Sequence, residues 1–331
     1  MNIPLTLAIG DYIHTRELAT GRVRAEGIDL TVLNYPFEQV GLRFAALREW
    51  EVSEFSLANY CALVAKQEPA PIIALPVFPS RVFRHSAIFI RDDSDIREAA
   101  QLSGRRVGIP QWSQTATVYV RGYLAHDVGI PLSSIEWVQA GLNEPGRKEP
   151  VSVRTPHGIR LRRETDTTLS QMLLADEIDA IITARPPEPF MKGERGIRRL
   201  FTDFEKEEEN YFRQTGIFPI MHVIVVRRDA YERNRWIMRN LFDAFEAAKR
   251  SVLPRLHDIT TAFIPAAWGS AYFERVSNLI FPEGDPWPYG VEPNRTTLEA
   301  FLLYCLEQGI TERRLAPDEL FAPEFNFTLR V

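Results

Sequence analysis

The chain opens on an alternation in which Leu5, Leu7 and Ile9 are interleaved with the smaller Thr6 and Ala8. That two-residue period predicts a strand ending at Gly10-Asp11-Tyr12. Ile28, Leu30 and Val32 predict a second strand, whereas Phe37, Val40, Phe44 and Leu47 recur at helical spacing. Glu51-Val52-Ser53 is a short apolar-centred step, and Glu54 to Tyr60 leads from it into another helix. Pro71 to Val77 is apolar throughout and reads as a buried strand. Strands alternating with helices indicate an α/β fold with a mainly parallel sheet.

A complete α/β unit occupies the middle of the chain. Strands are predicted at Gly104–Pro110, Ile135–Val138 and Ile178–Thr183, and helices at Thr115–His126 and Leu169–Leu174. Two similar segments flank this unit, His85 to Asp92 and His222 to Asp229. Each begins with His, runs through apolar strand residues and ends in charge, as two crossings between a pair of α/β lobes would. Residues 141–168 are rich in charge and turn formers. They predict a hairpin or arm, with Val151 and Val153 opposite Ile159 and Leu161, or a solvated loop. Beyond residue 229 the spacing is mostly helical.

Composition narrows the function classes. The 331 residues carry 39 Lys and Arg against 44 Asp and Glu, a net charge of −5, which gives no reason to expect nucleic acid or an anionic membrane as partner. No apolar run approaches the ~20 residues of a membrane span. The N-terminus has neither a basic region nor a long apolar stretch, so a cytoplasmic location is expected. Cys61 and Cys305 are far apart and without a CxxC, and read as two isolated apolar thiols, with one disulfide as the alternative.

Several segments taken in order resemble the 4,5-dihydroxyphthalate decarboxylase family. They are Glu54-Phe55-Ser56-Leu57-Ala58-Asn59-Tyr60, Val77 to Ser86, Gly104-Arg105-Arg106-Val107-Gly108, Thr115-Ala116 and Arg121-Gly122. Glu177-Ile178-Asp179-Ala180 with Arg185-Pro186, and Thr215 to His222, complete the series. The resemblance implies a two-lobe fold like the type II periplasmic solute-binding proteins, with two hinge strands and an interlobe cleft. Lobe 1 would take residues 1–86 and 226–331, and lobe 2 residues 87–225. It also implies a homo-oligomer and a small aromatic dicarboxylate as substrate. Because binders and enzymes share such a scaffold, the site has to separate them.

Ligands bind open α/β sheets at the carboxyl ends of strands. That rule selects Asp11 and Tyr12 after the first strand, Glu54 at the third, and Ser80 and Arg81 before the first His-led strand. It adds the loop of Gln111, Trp112, Ser113, Gln114 and Thr115, then Arg185, and Phe218 to His222. The loop has free helix-start amides and hydroxyls, which suit either an anion or ordinary capping. Arg81, Arg84 and Arg185 are candidate carboxylate clamps, or surface ion pairs. The six histidines include no HxH, HExxH or Cys/His cluster, so neither metal nor cofactor is expected.

The chemistry implied by the resemblance is ring protonation followed by loss of carbon dioxide. It needs a base near a phenol, an acid near the ring carbon and a cation for the second carboxylate. His222 and His85 are expected as the proton-transfer pair, oriented by Glu54 or Asp11. Arg81 and Arg185 would hold carboxylates, and Tyr12, Trp112 and Phe218 would pack the ring. The alternatives are a binding protein for an aromatic carboxylate and a decarboxylase of a related hydroxybenzoate.

Overall fold

The computed structural model describes residues 2–281 and 284–325. In chain order the strands are β1 (Ile3–Ile9), β2 (Ile28–Asn34), β3 (Val52–Ser56), β4 (Ile72–Arg81), β5 (Ile88–Arg91) and β6 (Arg106–Ile109). They continue with β7 (Glu136–Gly141), β8 (Arg160–Thr168), β9 (Ala180–Ile182), β10 (Ile197–Arg199) and β11 (Ile220–Arg227). One sheet has the order β2-β1-β3-β11-β4 and the other β10-β5-β9-β6-β7-β8. In the first, β1 runs parallel to β2 and β3, and β11 is inserted antiparallel between β3 and β4. These sheets with their helices are the two lobes of a type II solute-binding-protein-like fold.

The chain crosses between lobes at residues 82–87 and 216–219, on either side of the second sheet. The two His-led segments are therefore not equivalent. His85–Ala87 is a 3-10 turn that precedes β5 in the second sheet, whereas His222 lies in β11 of the first. The lobe boundary expected at 225/226 falls inside β11, all of which pairs in the first sheet.

β3 is buried along its whole length, as is most of β11. Continuous burial requires cover on both faces of the sheet, and helices supply it. The Arg295–Glu307 helix also packs on the Thr115–His126 helix of the second lobe, where Phe301 stacks on Tyr119 at 4.6 Å. A Cβ at Gly122 would stand 2.4 Å from the Tyr304 ring, so only glycine allows this approach. Gln308 accepts from Trp112 Nε1 at 2.8 Å through its carbonyl and from Arg121 Nε at 2.7 Å through Oε1. The tail, assigned from sequence to the first lobe alone, thus ties both lobes together at their back.

No hairpin forms across residues 141–168. β8 instead pairs in parallel with β7 as an edge strand, and residues 147–149 fold over the start of the Thr115–His126 helix. Cys61 and Cys305 are buried free thiols.

Candidate active site

β3 and β11 place a carboxylate and an imidazole on one face. Their register pairs His222 with Ser56 and Ile224 with Glu54, so Glu54 and His222 are diagonal neighbours. Irregularities in the β11–β4 pairing flank His222 on both sides, and such bulges re-aim side chains. His222 Nδ1 lies 2.5 Å from Glu54 Oε1. A carboxylate only accepts, so Nδ1 carries the proton of this bond and Nε2 is left for the cavity. The Phe37 ring stacks on the imidazole at 3.5 Å with an interplanar angle of 15° and fixes its plane.

Glu54 is fully buried, a costly place for a charge unless every lone pair is engaged. Its carboxylate accepts from Gly10 N at 2.8 Å, the Tyr12 hydroxyl at 2.6 Å and His222. Gly10 is required here, because a Cβ would stand 2.8 Å from the Tyr12 ring. Burial first, and then the Glu54 charge, push the Tyr12 phenol well above its ordinary range, so it stays protonated as a donor. Ser80 pairs with His222 in the β4–β11 register and offsets part of the rise at Tyr12.

The pair opens on an interlobe cavity of about 340 Å³, within the ~300–1,000 Å³ range of small-molecule sites. Tyr12, Phe37, Ser56, Asn59 and His222 line its first-lobe side, and Gln111, Gln114, Thr115, Arg147 and Arg185 the other. Thr115 Oγ1 hydrogen-bonds Ser56 Oγ at 2.9 Å and accepts from Ala58 N at 3.1 Å, joining the lobes beside the cavity. Gln114 Oε1 accepts from Ala184 N at 3.3 Å, and Gln111 Nε2 donates to Lys148 O at 2.6 Å.

Three arginines reach this cavity. Arg84 donates to Ala184 O and to Met221 Sδ, each at 3.1 Å, and burial lowers its pKa to about 10. Arg147 donates to Gln111 Oε1 at 3.1 Å and is likewise lowered by burial. Arg185 grips Glu38 fork to fork across the cleft mouth, Nε to Oε1 and Nη2 to Oε2, the latter at 2.6 Å. Among the described residues neither Arg84 nor Arg147 forms an ion pair, so both keep charge available to a ligand.

Other residues singled out from sequence lie elsewhere. His85 is buried among Tyr123, Tyr211 and Phe201, with ring centroids 4.4, 5.0 and 5.9 Å away. Burial lowers its pKa to about 4. Among the described residues neither nitrogen has a hydrogen-bond partner, and Glu208 Oε1 at 4.0 Å is out of hydrogen-bond reach. Asp11 is exposed and paired with Arg16 at 2.9 Å. Arg81 alternates with Ser80 on β4 and so faces the opposite way. It is buried, stacked on Phe218 at 4.4 Å and bonded to the Phe218 carbonyl at 3.0 Å. Trp112 is wholly buried against Arg121 and Trp137, and Phe218 stacks on Phe83.

The expected anion loop is filled from within. Glu149 accepts from Trp112 N, from Ser113 N at 3.2 Å, from Ser113 Oγ at 2.5 Å and from Gln139 Nε2 at 3.0 Å. A side-chain carboxylate has taken the donors that suited an anion, leaving Gln111, Gln114 and Thr115 to face the cavity. Met221, inside the selected Phe218 to His222 stretch, also lines it, as do Phe37, Glu38, Asn59 and Arg147, which sequence reasoning did not select as site residues. Phe37 and Glu38 follow the carboxyl end of β2, so the strand-end rule applied to every strand would have found them. Arg147 lay in a stretch readable only as charged. Among the described residues no group of three or more His, Cys, Asp or Glu converges as metal ligands.

Fold and site together define a two-lobe, solute-binding-type scaffold with a carboxylate-backed histidine in its cleft. The fold is shared with the periplasmic aliphatic sulphonate binding protein SsuA from Escherichia coli, 13% identical, TM-score 0.55, covering 97% of this chain and 92% of that one. It is shared equally with the desulfurization enzyme DSZB, 17% identical, TM-score 0.56, covering 98% and 97%. In sequence, the chain is 34% identical over 322 residues to 4,5-dihydroxyphthalate decarboxylase of Comamonas testosteroni, covering 97% of each. It is 36% identical over 210 residues to the Pseudomonas putida protein of the same name, covering 63% of this chain and 81% of that one. The chain belongs to the 4,5-dihydroxyphthalate decarboxylase family. No family model matches it.

Proposed function

We propose that this chain converts 4,5-dihydroxyphthalate to protocatechuate and carbon dioxide, with His222 as the proton donor. The observation that carries the reading is the 2.5 Å Glu54–His222 bond at the edge of a cavity that Arg84, Arg147 and Arg185 also line. A binding site for a dicarboxylate needs the arginines. It does not need a histidine backed by a buried carboxylate, which is the arrangement of an acid/base group.

The imidazolium Nε2 gives its proton to the ring carbon bearing the departing carboxylate. The para hydroxyl pushes electron density toward that carbon. The bond to the carboxylate then breaks, its electron pair restores the aromatic ring, and carbon dioxide leaves. Solvent returns a proton to His222. Glu54 holds the imidazole in orientation and stabilises its charged form. Arg84 and Arg147 hold the carboxylate that stays, while the leaving one must be held less tightly as its charge disappears. No metal or organic cofactor enters this scheme. The reading carries with it a cytoplasmic location and a homo-oligomer, to which the exposed Ile259 and Trp268 offer apolar surface.

The test is product analysis in deuterium oxide, with and without a strong chelator. Protocatechuate with one deuterium at the vacated ring carbon, formed equally in both, is the expected result. Tight binding of 4,5-dihydroxyphthalate without turnover would instead establish a binding protein.

A further inference from the structure

Asn59 is a polar side chain on the cavity wall that the chain itself does not use. It is 8% exposed and lines the cavity. Its Oδ1 is sealed from solvent without a partner, and no hydrogen bond of its amide to any described residue is present. Its backbone is well placed: Asn59 N donates to Ser56 Oγ, the N-cap of the Leu57–Lys66 helix, at 3.5 Å. The neighbouring polar groups are already committed. Ser56 and Thr115 bond each other, and Glu54 is saturated by Gly10, Tyr12 and His222. A buried amide oxygen left without a partner costs free energy, and an apolar residue of the same shape would avoid that cost. The amide therefore has its natural partner in whatever fills the cavity.

The partner's chemistry follows from placement. Arg147 and Arg185 come from the second lobe, so the carboxylates of a ligand are drawn to that side. Asn59 belongs to the first-lobe wall, with Ser56 and His222. A carboxamide has one donating and one accepting end, and turning it over exchanges them without changing its shape. A ring hydroxyl also donates and accepts, and matches the amide in either orientation. We propose that Asn59 is the residue that selects hydroxylated over unhydroxylated aromatic dicarboxylates, by hydrogen-bonding a ring hydroxyl of the substrate. This rests on the decarboxylase reading given above. A site built to bond a hydroxyl rejects the analogue lacking it, since its own buried group is then left unpaired. As the ring carbon is protonated, the hydroxyl opposite it becomes a stronger donor, so its bond to the amide oxygen, turned to the cavity, tightens during the reaction.

The experiment compares the wild-type chain with Asn59→Leu and Asn59→Ala. The readouts are kcat/KM for 4,5-dihydroxyphthalate and the inhibition constant of phthalate, which has both carboxylates and no hydroxyl. Both variants should lose at least about tenfold in kcat/KM while phthalate inhibition stays within about twofold. An unchanged kcat/KM overturns the proposal, and so does a parallel loss of phthalate binding, which marks a collapsed cavity. If the wild-type chain turns over nothing, the decarboxylase reading has failed by itself. Melting-temperature shifts with the same two compounds then decide the role of Asn59. A wild-type preference for the hydroxylated compound that Asn59→Leu abolishes supports the assignment, and equal preference in both chains overturns it.

Discussion

Glu54 and His222 meet at 2.5 Å as diagonal neighbours across β3 and β11, one wholly buried and the other at the cavity wall. Replacing Glu54 by Gln keeps the volume and removes the charge that stabilises the imidazolium. Its amide can also present N–H toward Nδ1, which favours the wrong tautomer. Steady-state kinetics should show kcat reduced by at least about 10²-fold with KM little changed. Tyr12→Phe removes one of the three donors to Glu54 and should cost kcat less than Glu54→Gln.

His85 is a stability group. Its pKa falls from 6.5 to about 4 through burial. Between those pH values the unfolded chain binds a proton on this ring and the folded chain does not, so stability declines as pH falls through the window. The full difference is on the order of 3 kcal/mol. His85→Phe suits the surrounding aromatic rings and removes this dependence. Its melting temperature should fall less than that of wild type between pH 7 and pH 4.5. Turnover at pH 7 should stay within about twofold, and a tenfold loss would return His85 to the chemistry.

The arginines separate by their present partners. Arg84→Gln removes an ion-unpaired cation from the cavity and should raise KM at least about tenfold, the worth of a hydrogen bond to a charged group. Arg185 is shared with Glu38 in an exposed pair, which contributes about 1 kcal/mol or less to stability. Glu38→Gln frees the guanidinium and should lower KM, whereas Arg185→Ala should raise it, with little change in melting temperature for either. Equal KM shifts in both variants would mean that the pair serves only to hold the cleft mouth.

Glu149 holds the loop before the Thr115–His126 helix through four accepted bonds. Glu149→Gln keeps the shape and loses the charge assistance, at about 1–3 kcal/mol. A melting temperature lower by several degrees is expected, with the Gln111 side of the cavity loosened.

The fold was legible because strand and helix periods are local properties. The Thr115–His126 and Phe37–Leu47 helices stand where their spacing put them. Glu54, His222 and Tyr12 were reachable through the strand-end rule. Their meeting was not, because it depends on the antiparallel insertion of β11 beside β3, a long-range pairing with no local mark. The same limit misplaced His85, whose segment begins like that of His222 and folds into the other lobe. It also hid Glu149, whose occupation of the Trp112–Ser113 donors joins residues about 36 apart in sequence. Arg81 and Ser80 show the finest case, since strand alternation sends them to opposite faces and only the register tells which face meets the site.

The most direct measurement compares wild type with His222→Gln for carbon dioxide release from 4,5-dihydroxyphthalate, alongside the melting-temperature shift that the same compound produces. Wild type should release one carbon dioxide per protocatechuate. The variant should retain the shift and turn over at least about 10²-fold more slowly. Near-wild-type turnover by His222→Gln would contradict the assignment of His222 and move the proton donor elsewhere in the cleft.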